Sequence, residues 1–293
     1  ERSGLGELTF QSKKVALLGN VGYKDFGDIY AGGDLQFEPP SGYDETSVNL
    51  HAKAHWENRW QLKSAFQYVI QNDVPRFDQV AQRGYQRYAF DPQIHRLAYA
   101  RLEHFGEIPL LQKVQFTASH QYSDETRKKQ KEASPFFQTE YDKVMTLGLS
   151  AEAYSEFEEN WKGVTGVEFY SDKVNSGKKE ENTENGEITE MRGLYPDNSS
   201  MKNLALFTQH SFGFRSFNFN LGGRYNTVSI HSLDQEFGEV KLTPSSLVAN
   251  ISAQYYFSPL QQIILSAYSA FRAPNINDIS SFGAFDYGIE IPS

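Results

Sequence analysis

Apolar and polar residues alternate over long stretches of this chain. Val48, Leu50, Ala52, Ala54 and Trp56 alternate with Asn49, His51, Lys53 and His55. After Glu57-Asn58-Arg59 the alternation resumes, with Trp60, Leu62, Ser64, Phe66, Tyr68 and Ile70 against Gln61, Lys63, Gln67 and Gln71. Period two sustained on both sides of a short turn predicts a long β-hairpin with one apolar and one polar face. Strands of soluble proteins average about 5–6 residues. These are roughly twice as long, which is the length a tilted strand needs to cross a bilayer.

The unit recurs. A first strand is predicted over 13–25, before a Gly/Pro/Asp-rich loop that ends at Pro39-Pro40-Ser41-Gly42. Later pairs are predicted at 94–104 with 112–122, 141–153 with 161–171, 201–211 with 215–226, and 245–257 with 261–272. Within them Phe217, Phe219, Leu221 and Tyr225 alternate with Asn218, Asn220 and Arg224. The turns inside each pair are short, such as Gly106–Pro109 and Ser258-Pro259-Leu260. The connections between pairs are long: Asn72–Gln93, Ser123–Gln138, Asp172–Ser200 and Thr227–Pro244. Short turns at one end and long polar loops at the other define an antiparallel up-and-down transmembrane β-barrel, with its short turns in the periplasm. The fold class is therefore all-β, with about eleven strands in one domain over residues 1–293. Eleven strands in an open sheet would leave two unpaired edges in lipid, so the pattern predicts part of a larger barrel. The first residues, Glu1-Arg2-Ser3-Gly4, resemble neither an initiator Met nor a signal peptide, and the chain is expected to be a piece of a longer protein.

Composition narrows the class further. The 293 residues carry a formal net charge of −9, 14% aromatic residues (22 Phe, 17 Tyr) and no cysteine. The aromatic excess suits β-structure. The acidic balance argues against a nucleic-acid binder, and the lack of cysteine removes disulfides and thiolate metal sites. No apolar run is long enough for a spanning helix. Neither a nucleophile elbow, a zinc-protease helix, a phosphate loop nor a dinucleotide fingerprint occurs, so no enzyme is expected.

Phe271-Arg272-Ala273-Pro274-Asn275-Ile276-Asn277-Asp278 follows the last predicted strand, which must stop at the proline. This run resembles the barrel box of TonB-dependent outer-membrane receptors. Asn72-Asp73-Val74-Pro75-Arg76-Phe77-Asp78, Phe90-Asp91-Pro92-Gln93 and Leu97-Ala98-Tyr99-Ala100-Arg101 are similar to the second outer loop and next strand of the haem, haemoglobin and cobalamin branch. Gly163–Lys173 and Leu221-Gly222-Gly223-Arg224-Tyr225 resemble recurring receptor strands. The resemblance implies a larger barrel, of 22 strands, filled by a plug that this chain does not contain. It implies uptake of a small metal complex (haem, siderophore-iron or cobalamin) through the outer membrane of a Gram-negative bacterium. It also implies coupling to the TonB complex through that plug, contact with outer-membrane lipid, and no cofactor of its own. Haem receptors carry a histidine soon after this box, and none follows Pro274 here. A passive porin-type channel and a soluble all-β binding module remain open alternatives.

Five residues are candidates for ligand contact. Arg272 sits at the predicted rim, either lining the ligand path or pairing with the plug; alternatively it only holds the strand end. Arg76, Arg83 and Arg87 are interleaved with Phe77, Tyr85 and Tyr88, a mixture that suits an anionic, planar or catecholate ligand. From this loop Arg76, Tyr85 and Arg87 are taken as candidates. His231 lies on a long loop with Asp234 and Glu236. His51 and His55 share a strand face, but about 13 Å separates positions i and i+4 of a strand, so the two form no chelate and no metal site is predicted. The run Lys178–Glu190 is expected to be a mobile external loop.

Overall fold

A computed structural model describes residues 1–33, 36–234, 238–280, 283–285 and 288–290. The strands in chain order are β1 (Arg2–Gln11), β2 (Val15–Phe26), β3 (Ile29–Tyr30), β4 (Phe37–Glu38), β5 (Tyr43–Trp56), β6 (Trp60–Asn72) and β7 (Val74–Pro75). After helix α1 (Phe77–Arg83) come β8 (Tyr85–Ile108), β9 (Leu111–Lys131), β10 (Phe136–Glu158), β11 (Trp161–Asn182), β12 (Ile188–Met191) and β13 (Ser199–Phe214). The chain continues with β14 (Phe217–Asp234), β15 (Gly238–Leu242), β16 (Ser245–Ser258), β17 (Gln261–Tyr268), helix α2 (Ile276–Ser280), β18 (Gly283–Phe285) and β19 (Gly288–Glu290).

One antiparallel sheet carries the fold, in the order β1-β2-β5-β6-β8-β9-β10-β11-β13-β14-β16-β17, with β7, β12 and β15 attached to β8, β11 and β14. Every main connection joins neighbours, the up-and-down order expected from the sequence. Among the described residues β1 and β17 do not pair, so the sheet is open. The eleven anticipated strands are all present. β1 was not anticipated: Arg2-Ser3-Gly4-Leu5-Gly6-Glu7 shows no sustained alternation, and the segment is held by its register on β2, from Arg2↔Asp25 to Gln11↔Ala16. The hairpin turns force positive φ on Glu57, Asn58, Leu110 and Arg215, at 52° to 69°. Tight hairpins require this left-handed backbone even where glycine is absent.

The two faces invert the soluble pattern. Register aligns Leu62, Leu102, Phe116, Ala151, Val167 and Leu206 on one face, and Lys63, Arg101, Thr117, Ser150, Glu168 and Ala205 on the other. On the polar face Glu103 and Gln115 are buried to 3% and 4%, whereas Leu149 and Leu206 on the apolar face stand 45% and 54% exposed. Apolar out and polar in is the arrangement of a sheet whose outer surface meets lipid. Aromatic rings gather at the short-turn end, with Trp56 stacked on Trp60 at 6.2 Å, Phe157 at 4.7 Å from Trp161, and Phe212 at 5.1 Å from Phe219. They form the girdle that amphipathic rings make at a membrane interface. No helix among the described residues is long and apolar enough to cross a membrane, which says nothing about strands.

Three expectations need correction. β8 to β11 are 21–24 residues long, about twice the 9–11 a membrane crossing needs, so much of the supposed long loops is strand standing above the membrane. Lys178 to Asn182, expected to be mobile, is paired in β11 with β10 up to Phe136↔Asn182. The polar sequence of this stretch is explained by cross-strand ion pairing rather than disorder. Finally, the last long strand ends at Tyr268 rather than Arg272, because its register on β16 stops at Asn250↔Tyr268; the chain then folds into α2.

Candidate functional site

The polar face is layered along the strands. Near the short turns, Lys63 contacts Glu103 at 2.8 Å, Gln115 donates to Glu152 at 3.4 Å, and Arg101 donates to Thr117 at 3.3 Å. Further along β14, Arg224 donates to Glu168 at 2.8 Å and lies over the Phe207 ring at 5.8 Å. Phe207 in turn fills the space left by Gly166, where a Cβ would come within 2.6 Å of the ring.

Above the membrane level, Arg127 of β9 is the hub of a denser cluster. Its guanidinium pairs with Asp142 and reaches Glu125 at 3.8 Å and Glu140 at 3.9 Å, with the side chain only 18% exposed. Glu140 also takes Lys129 at 2.8 Å and Lys178 at 3.6 Å, while Asp142 accepts the Ser176 hydroxyl at 2.6 Å. Burial works against each charge here. For Arg127 the carboxylates of Asp142, Glu140 and Glu125 outweigh burial and hold its pKa above the ordinary value. For Glu140 burial pushes up, but Lys129, Arg127 and Lys178 pull the net value below the usual carboxylate range.

Tyr88, 7% exposed, lies beside this cluster in register with Lys129. Its ring receives Lys129 at 5.7 Å and Arg76 at 5.8 Å, and the Tyr85 ring stands 5.1 Å away. Two cations thus lie over one buried ring, a cation–π cluster whose half-buried members, Arg76 and Tyr85, remain open to the interior. Arg76 is fixed by a fork onto Asp78, at 2.9 Å and 3.0 Å. Hydrogen bonding from Arg76 lowers the Asp78 pKa to about 2. Arg76 precedes α1, which ends at Gly84 in the left-handed conformation (φ 68°).

The remaining candidates lie elsewhere. Arg87 belongs to the opposite face, with Asp73 at 2.9 Å and Asp91 at 3.3 Å. His231 pairs in register with Ser200 on the outward face and contacts Glu239 at 2.9 Å, a carboxylate it shares with Lys241 at 2.7 Å. These contacts lower the Glu239 pKa, Lys241 contributing more than His231. Glu236, named with His231, lies outside the described residues; Asp234 instead accepts Arg192 at 2.6 Å. Arg272 is 77% exposed and forks onto Asp278 at 2.8 Å and 2.9 Å. Asp278 accepts from the Asn275 N–H, and Asn275 Oδ1 accepts from the Asp278 N–H, both at 2.9 Å. This reciprocal pair is a capping box for α2, legible in Asn-x-x-Asp but read in sequence only as a loop. α2 covers an apolar island of the polar face, where Ile276 packs with Val174, Val228 and Ile230. Beneath Phe271 and Ala273 lies a cavity of about 280 Å³ lined also by Asn203, Arg224 and Asn226. Of the five candidates, then, the structure brings Arg76 and Tyr85 together. It adds Tyr88, seen in the sequence as part of the loop mixture but not taken as a candidate, and Arg127 and Glu140, which sequence reading missed because their partners lie on other strands.

An open up-and-down sheet, apolar outside, polar inside and ringed by aromatics at its short-turn end, is the wall of an outer-membrane type β-barrel. The chain belongs to the family described as TonB dependent receptor-like, beta-barrel, whose model matches residues 3–290. That family consists of receptors and transporters of the Gram-negative outer membrane. Among solved structures it is similar to the copper transporter OprC, at TM-score 0.75 and 12% identity over 94% of this chain and 45% of that one. The Serratia marcescens hemophore receptor HasR, in complex with its hemophore HasA and heme, matches at TM-score 0.70 and 13% identity over 98% and 45%. The ferric-catecholate import receptor Fiu of Escherichia coli K12 matches at TM-score 0.67 and 13% identity over 97% and 51%. The chain thus spans about half the length of these structures. A search of curated proteins finds no match. The polar face is therefore the barrel interior.

Proposed function

We propose that this chain is the barrel wall of a TonB-dependent importer for a metal complex, of the haem, siderophore-iron or cobalamin class. A plug elsewhere in the same polypeptide would close the pore and couple it to the TonB complex. The observation that carries this reading is the family match combined with the interior platform of Arg76, Tyr85 and Tyr88 beside the Arg127 cluster. That platform lies above the membrane level, where a ligand arriving from outside meets the wall. Its half-buried members, Arg76 and Tyr85, offer cation–π and stacking contacts to a planar or catecholate ligand, with Tyr88 holding them in place from behind. Its fixed charges are compensated within the wall, so shape and stacking rather than net charge select the ligand.

The test uses cells whose only TonB-dependent importer is the full-length receptor. Uptake of labelled haem, ferric catecholate siderophore and cobalamin is followed with and without a protonophore. The proposal expects uptake of one of them, abolished by the protonophore and reduced by Tyr88→Ala. Uptake that survives collapse of the proton gradient would make the protein a passive channel. A receptor that stays monodisperse without detergent would be a soluble module.

A further inference from the structure

The tip between β11 and β12 carries a reactive step that the barrel wall does not use. β11 ends at Asn182 and β12 begins at Ile188, with Glu181 opposite Ile188. The link Thr183-Glu184-Asn185-Gly186-Glu187 is exposed throughout, and it holds the only Asn-Gly step in the sequence. Asn185 Oδ1 accepts the Glu187 N–H at 2.9 Å, and Asn185 Nδ2 donates to Glu187 Oε2 at 3.4 Å. The first contact is an Asx turn, which curls the carboxamide back along its own backbone towards the Gly186 nitrogen. The Glu187 N–H is thereby aimed at the oxygen on which negative charge develops when the Asn185 side-chain carbon is attacked. Gly186 has φ 74°. Beyond its chain neighbours no atom lies within 4 Å of the place a Cβ would occupy. Its N–H donates to Asn182 O at 2.8 Å, a bond that must open before the nitrogen can react.

Neighbouring asparagines lack one part of this arrangement or another. Asn175 and Asn198 precede small residues, but those residues, Ser176 and Ser199, are only 3% and 0% exposed. The Ser176 N–H is held by Asp197 at 3.2 Å, and the carboxamides of Asn175 and Asn198 donate to the same carboxylate at 3.1 Å and 2.8 Å. Asn182 is the internal control. It makes the same Asx turn, accepting the Glu184 N–H at 2.9 Å, but its successor is the β-branched Thr183, whose side chain crowds the attacking nitrogen.

We infer that Asn185 is a site of spontaneous covalent modification by deamidation. The Gly186 nitrogen gives up its proton to hydroxide and bonds to Asn185 Cγ. The Cγ–Nδ2 bond breaks, the nitrogen leaves as ammonia, and a succinimide ring closes. Water then adds to one of the two ring carbonyls and opens it, to aspartate or, with the chain rerouted through the side chain, to isoaspartate. The step needs water alone, without oxidant or enzyme. Either product sets a new carboxylate beside Glu187, and like charges at that range repel. Isoaspartate also lengthens the backbone by one methylene, which draws the Gly186 N–H away from Asn182 O. That loosens the link which holds β12, a strand of four residues, on β11. The tip thus changes as the receptor ages, whichever ligand the barrel takes.

The experiment is incubation of the detergent-purified full-length receptor at neutral and mildly alkaline pH, followed by digestion and fragmentation mass spectrometry. Heavy-oxygen water marks the conversion that takes place during incubation. Conversion should be concentrated at Asn185, rise with hydroxide and yield more isoaspartate than aspartate. The Gly186 hydrogen bond should make it about two- to tenfold slower than in a free peptide of the same sequence. Asn185→Gln, which would need a larger ring, should stop it, with heat-dependent mobility on gels verifying that the barrel is folded. Amide exchange protection of Ile188–Met191 should fall in the isoaspartate fraction, and fall less in Asn185→Asp, which adds the charge without the methylene. Conversion at Asn182 equal to that at Asn185, or none at Asn185 while the free peptide converts, would overturn the site. Unchanged protection in the isoaspartate fraction would overturn the loosening of β12.

Discussion

Replacing Arg127 with Met tests whether the interior cluster is held by its central charge. Methionine keeps much of the side-chain length and removes the guanidinium. Removing one partner of a buried ion pair costs about 3–5 kcal/mol, because the opposite charge stays buried. Here the carboxylates keep other partners. Glu140 retains Lys129 at 2.8 Å, and Asp142 retains the Ser176 hydroxyl at 2.6 Å. The net cost should therefore be about 2–3 kcal/mol. The assay is amide hydrogen exchange on the full-length receptor in detergent, following peptides that cover 124–130 and 138–142. Local opening made easier by that amount raises exchange there by about 30- to 150-fold. Removing the stranded carboxylate as well, in Arg127→Met with Asp142→Asn, should recover part of the protection. Lys162→Met provides the control, since its pair with Glu156 at 3.5 Å involves a side chain 63% exposed and surface pairs contribute about 0–1 kcal/mol. A change below about threefold for Arg127→Met, or one no larger than the control's, would refute the hub.

Further outcomes follow from the same geometry. Asp78 has its pKa lowered to about 2 from 3.8, so its contribution is present above the unfolded value and lost as pH falls through the folded one. Exchange protection of α1 should thus hold down to about pH 4 and decline between about pH 4 and pH 2, and Asp78→Asn should remove that decline. Asp278→Ala deletes half of the capping box and the Arg272 fork, a loss of about 1 kcal/mol; trypsin should then cut after Arg272 several-fold faster, and an unchanged rate would mean that the capping box and fork do not hold α2, leaving that to contacts such as the apolar packing of Ile276 and Ile279 and the Tyr195 hydroxyl on Asn277. This chain has no cysteine, so single cysteines placed in it report topology once any elsewhere in the receptor are replaced. Asn185→Cys, beyond β11, should react with an impermeant maleimide on intact cells, and Glu57→Cys should not; the reverse would invert the barrel. Gly166→Val would place a Cβ 2.6 Å from the Phe207 ring and 2.9 Å from the Ala151 carbonyl, costing about 1–3 kcal/mol by overpacking, read as faster exchange in β11 and β13.

What the sequence determined by itself was whatever strand period encodes locally. Alternation from Val48 to Ile70 assigned faces to β5 and β6 correctly, since successive side chains of a strand must point to opposite sides. The short turns read at 57–59, 106–109, 155–160, 212–214 and 258–260 set the up-and-down order, and with it the barrel class, although the strands run on into four of them, to Ile108, Glu158, Phe214 and Ser258, before they reverse. Tertiary structure decided what depends on a neighbouring strand. β1 and the upper halves of β8 to β11 are polar segments that become strands because the adjacent strand offers a hydrogen-bonding edge, a condition that leaves no periodic apolar signal. The register of β8 slips between Phe90, opposite Arg127, and Gln93, opposite Glu125. A one-residue slip moves every later side chain to the other face. Adjacent strand residues always take opposite faces; the slip decides that Tyr88 rather than Arg87 takes the interior one. Likewise Arg127, Glu140 and Lys178 are separated by whole strands in the chain and meet only when three strands are aligned. Ligand-contact geometry in such a wall is a property of register, and register is fixed by pairing across strands rather than along one.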